Sequence, residues 1–106
     1  MPKILWKATY SVEGAKGVLR EGGTGRRAAV EKAVASAGGT LESFYYAFGE
    51  DDVYVIADLP SNVDVAALAL GVGAAGGARV TTSILMTPEE VDQAAKKAVE
   101  YRPPGG

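Results

Sequence analysis

Apolar and polar positions along the chain alternate between two periods. Lys3 to Tyr10 (KILWKATY) is an apolar, aromatic-containing run that ends in a polar turn, which predicts a strand. In the following SVEGAKGVLR, Val12, Ala15, Val18 and Leu19 recur at helical spacing, although Gly14 and Gly17 weaken that segment. EGGTG interrupts the pattern. Thr24 is placed to cap a second helical segment, with Val30, Ala33, Val34 and Ala37 on its apolar face. Gly38-Gly39 ends it, as glycine past a helix end commonly does.

TLESFYYAF and DVYVIADL predict two strands joined by Gly49 to Asp52, a loop short enough to make them antiparallel neighbours. Gly49 is expected to supply the positive φ of the turn. Pro60-Ser61-Asn62 stops the second of these strands and caps a helix from about Val63 to Ala75, closed by Gly76-Gly77. ARVTTSILM predicts a fourth strand, rich in β-branched residues. TPEEVDQAAKKAVEY then predicts a helix with Thr87 as N-cap, Pro88 at its first position and Glu90 completing a capping box. Its apolar face is Val91, Ala94, Ala95 and Ala98.

The order is βαββαβ with an added C-terminal helix. That order predicts a ferredoxin-like α+β fold, a four-stranded antiparallel sheet with helices on one face. A single domain is expected over residues 1–101, with 102–106 as a Pro/Gly surface tail. The second sheet face carries aromatic and β-branched side chains, and no remaining long element covers it. Such a surface marks an association site, and pairing of two copies by two-fold symmetry is the expected arrangement.

Composition narrows the chemistry. The chain has 106 residues, 47% of them hydrophobic, and much of that share is alanine, which buries little area. Cysteine and histidine are both absent, which removes thiol nucleophiles, thiolate metal sites and the commonest general base. A net charge of −2 gives no field to attract nucleic acid or an anionic membrane. There is no transmembrane run, and MPKILWKATY lacks the apolar core of a signal peptide, so a cytoplasmic location is expected. No cofactor and no metal site is implied; Glu50-Asp51-Asp52 lacks the spacing of a calcium loop.

Taken together, TYSVEGAKG (Thr9 to Gly17), EGGTGRRAAVEKAVASAGG (Glu21 to Gly39), FYYAFGEDDVYVIADLP (Phe44 to Pro60) and LMTPEEVDQAAKKAVEYRPPG (Leu85 to Gly105) resemble GYD-domain proteins along essentially the whole chain. That family is named for a glycine-tyrosine-aspartate signature in the central hairpin. Here Asp51 stands at the tyrosine position, and Asp52 matches the closing aspartate. The resemblance implies the dimeric α/β-barrel type of ferredoxin-like fold. Related barrels include cofactor-free monooxygenases, small isomerases and ligand-binding regulatory domains, and fold kinship alone does not choose among them.

Four segments carry candidate chemistry. In the acidic corner, Glu50 and Asp51 read as a solvated turn, whereas Asp52 opens a strand and is expected to face a pocket, as a ligand contact or general acid-base. Tyr10 and Arg79 are its expected partners. The EGGTGRR segment offers Thr24, Arg26 and Arg27 to an anion at a helix start, against the plainer reading of a joint with a solvated basic face. Trp6, Tyr10, Tyr45 and Tyr46 could orient a small aromatic or carbonyl ligand, with Arg79 and Thr82 adding polar contacts; packing in the core or a dimer interface is the commoner use of strand aromatics. YRPPGG lacks a full PxxP motif and reads as a tail or an arm.

The leading expectation is a homo-oligomeric domain that binds a small organic molecule between sheet and helices through Tyr10, Tyr45, Asp52 and Arg79. A cofactor-free oxygenase or isomerase and a purely structural or interaction module are the alternatives.

Overall fold

The computed structural model describes residues 2–106. The elements run β1 (Lys3–Tyr10), α1 (Val12–Ser36), β2 (Thr40–Tyr46), β3 (Val53–Asp58), α2 (Asn62–Ala75), β4 (Ala78–Leu85) and α3 (Pro88–Ala95). The strands form one antiparallel sheet in the order β2-β3-β1-β4. This is the ferredoxin-like α+β arrangement that the element order predicts.

The strand period decides which side chains enter the core. On the helix side of the sheet, Ile4, Trp6 and Ala8 of β1 stand beside Ala57, Val55 and Val53 of β3. Together with Leu59, Val34 of α1 and Val65 of α2, most of these form the buried cluster. Val30 and Ala37 pack on it from α1, as the predicted apolar face requires. α1 covers β1 and β2, while α2 covers β4.

The break in EGGTG is confined to Gly22, whose φ of 79° and ψ of 165° lie where only glycine is at ease. The helical run Val12–Ser36 bends there, and Thr24 sits inside the second segment instead of capping it. Gly22 supplies the interruption alone because no other residue type tolerates that backbone. The first segment also turns a different face inward than predicted. Leu19 is 86% exposed, and Gly14 faces the turn between α2 and β4, where a Cβ would collide with the Gly77 carbonyl. Small residues allow that close approach; the apolar ones are left outside.

Two further expectations are corrected. The positive φ in the β2–β3 loop belongs to Phe48 (52°), not to Gly49. The Phe48 ring stacks on Tyr46 at 5.5 Å. The last helix keeps its Thr87–Glu90 capping box but stops at Ala95, six residues before Tyr101. It is exposed along its whole length, so no packed face sustains it beyond two turns. The Cα radius of gyration is 16.8 Å, against about 13 Å for a compact chain of this length, in keeping with such a projecting end.

The second face of the sheet remains bare in the single chain. It presents Leu5, Tyr54, Ile56, Tyr45 and Leu85 among Lys7, Thr81 and Ser83. At one margin Lys3 Nζ bridges Glu42 (2.7 Å) and Asp58 (3.2 Å).

Candidate functional site

The helices bring small side chains to a sheet that carries bulky ones, and the space between them is not filled. An inner hollow of about 110 Å³ lies between β1, β3, β4 and the two covering helices. Its walls include Trp6, Phe44, Val55, Leu68, Ala69 and Val80. A second hollow of about 460 Å³ adjoins it and is bounded largely by Gly14, Gly17, Ala67, Gly71 and Ala75. Tyr10 and Arg26 border both.

Of the fifteen residues around the inner hollow, only Trp6, Tyr10 and Arg26 carry a polar side-chain group. Trp6 is 7% exposed, and its indole N–H is buried without a hydrogen-bond partner. An unpaired buried donor is costly, so its presence needs an explanation. The Tyr10 hydroxyl is pushed up to about 12, chiefly because burial disfavours the phenolate and secondarily because the Tyr46 phenol adjoins it; Arg26 pulls the other way. Tyr10 therefore stays a neutral hydroxyl at physiological pH and is unsuited to act there as a general base. The Tyr46 hydroxyl donates to the Gly23 carbonyl at 3.1 Å, which ties the bend of α1 to β2. Arg26 begins one turn past that bend, and its nearest carboxylate is Glu21 at 3.6 Å.

The acidic corner serves another purpose. One Asp52 carboxylate oxygen accepts the Tyr10 backbone N–H at 2.9 Å, and the Asp52 N–H donates to the Ala8 carbonyl at 2.9 Å. Asp51 accepts the Thr9 hydroxyl at 3.1 Å. Both acids thus pin the hairpin tip to the end of β1. Asp52 borders neither hollow, and its Tyr10 contact runs through backbone instead of the hydroxyl. Arg79, opposite Thr9, is exposed and borders a third hollow of about 480 Å³ with Glu50 and Asp51 at the end of the sheet. Tyr45 pairs with Tyr54 on the bare face and is 70% exposed. Thr24 and Arg27 point to solvent.

The structure therefore brings Tyr10 together with Arg26, which sequence reasoning had assigned to separate sites. It does not unite Tyr10 with Tyr45, Asp52 and Arg79 around one cavity. Strand alternation foretells the separation of Tyr45 from Tyr10 only once the sheet order is known. The walls of small residues were visible as Gly14, Gly17, Gly71 and Ala75, but a glycine in a helix reads as weakness before it reads as space. Among the described residues no group of three or more Asp, Glu, His or Cys is placed to hold a metal ion. Among the described residues no helix is long and apolar enough to cross a membrane.

The GYD domain family matches residues 5–95, most of the chain. The chain belongs to that family. No curated protein and no solved structure matches it. In this GYD domain the β2–β3 hairpin is a clamp on β1: Asp52 holds a backbone N–H of the strand that carries Trp6 and Tyr10.

Asp52→Ala is expected to lower stability by about 1–2 kcal/mol, since it orphans a partly buried N–H that now meets a charged acceptor. Glu50→Gln, at an exposed position with no side-chain partner, is expected to stay within about 0.5 kcal/mol of the parent. Urea midpoints measure both, and equal midpoints would contradict the clamp.

Proposed function

We infer that this GYD domain is a homo-oligomeric binding protein for a small organic molecule held between its sheet and its helices. The observation that supports this reading is the inner hollow, apolar on nearly all sides. An apolar cavity of about 150 Å³ holds benzene. A hollow of about 110 Å³ that opens into a larger one is thus scaled to a single ring or a short branched chain. The neutral Tyr10 hydroxyl favours binding over proton abstraction as the task of the site.

Self-association follows from the bare sheet face. The core of the single chain is thin, with eight buried apolar residues on one side of the sheet. A second copy, related by a two-fold axis, would cover Leu5, Tyr54 and Ile56 with the same side chains, with Lys3 at the margin and Lys7 within the covered face.

Trp6 is the sole tryptophan, so its emission reports on the hollow directly. Benzyl alcohol, a neutral ring of suitable size, is expected to change that emission saturably. A linear response without saturation would overturn the binding role. Light scattering at micromolar protein is expected to give about twice the chain mass of 10.9 kDa, and Tyr45→Arg should lower it. A stable monomeric mass for the parent would overturn self-association.

A further inference from the structure

The polar groups around the inner hollow are matched in kind. The Arg26 guanidinium is a donor only, and the protonated Tyr10 hydroxyl beside it can donate as well as accept. None of the other lining side chains of that hollow offers an acceptor. An occupant that brings acceptors of its own would suit these donors. Arg26 adds a fixed positive charge at the seam where both hollows meet, and its side chain is 34% exposed, enough shielding to strengthen a charge pair formed there. Glu21, 3.6 Å away, borders the outer hollow and engages the guanidinium only loosely.

Resting on the binding role given above, the geometry points to a small monocarboxylate with an apolar body as the occupant. Its ring or branched chain lies among Trp6, Phe44, Val55 and Leu68, and its carboxylate meets Arg26 and the Tyr10 hydroxyl at the seam. The bend at Gly22 is what carries Arg26 to this position, because it redirects α1 one turn before the residue. Glu21 then acts as a stand-in anion that the ligand displaces.

Benzoate and benzyl alcohol share a ring and differ in charge, so they separate this claim from the binding role itself. Each is titrated into the parent, Arg26→Gln and Glu21→Gln proteins, with Trp6 emission and calorimetry as readouts and thermal melts to confirm folding. Benzoate is expected to bind the parent at least tenfold more tightly than benzyl alcohol. Arg26→Gln should remove that advantage by weakening benzoate far more than benzyl alcohol; Glu21→Gln should tighten benzoate several-fold. Equal binding of the two probes, or an Arg26→Gln protein that keeps the preference, would overturn the carboxylate assignment while leaving the binding role standing. Failure of both probes to bind the folded parent would overturn both.

Discussion

One short polar staple at Ser11 joins the start of α1 to the turn between α2 and β4. Its N–H donates to the Gly77 carbonyl (3.0 Å), its hydroxyl donates to the Gly76 carbonyl (2.8 Å), and the same oxygen caps α1 by accepting the Gly14 N–H (3.1 Å). These bonds draw the start of α1 onto the turn between α2 and β4. The approach is close enough to require glycine at position 14. Farther along, the second half of α1 packs on β1 and β2 through Val30 and Val34. The two anchorages do not lie on one straight helix, so the bend at Gly22 reconciles them. The stretch between them is left spanning open space, walled by glycine and alanine, and that space is the candidate site.

The two faces of the sheet consequently have different work. The helix face concentrates the core and surrounds the hollow. The opposite face has no cover from its own chain, since α3 projects into solvent. The hairpin clamp belongs to neither task directly. By fixing the end of β1 through Asp51 and Asp52, it holds Tyr10 at the mouth of the hollow, a positioning effect exerted through backbone.

Much of the fold was legible from the sequence because it rests on period. The apolar run KILWKATY, the strand alternation of DVYVIADL, the Thr87 capping box and the glycines past the ends of α1 and α2 are local signals, and the structure keeps them. What escaped depends on tertiary placement. The positive φ falls on Phe48, whose ring stacks on Tyr46, a placement no turn rule encodes. The early end of α3 reflects the absence of a surface for Val91 and Ala98 to pack on. Asp52 looked like a site residue because a carboxylate at a strand start invites a functional reading; its partner proved to be the Tyr10 N–H across the sheet. Arg26 looked like part of a helix-start anion site, and only the bend in α1 reveals that it borders the same space as Tyr10.

The central claim is that the space beneath the helices is held open for an occupant. Ala69 borders the inner hollow alone, and its replacement by leucine on a helix that favours both residues would fill part of that space. A unit kept open at the expense of stability should gain from such filling. Thermal denaturation of Ala69→Leu, followed in the presence and absence of benzyl alcohol, tests this directly. The account predicts a higher midpoint for the unliganded variant and loss of the upward shift that the ligand gives the parent. A lower midpoint, or a ligand-induced shift equal to that of the parent, would contradict it.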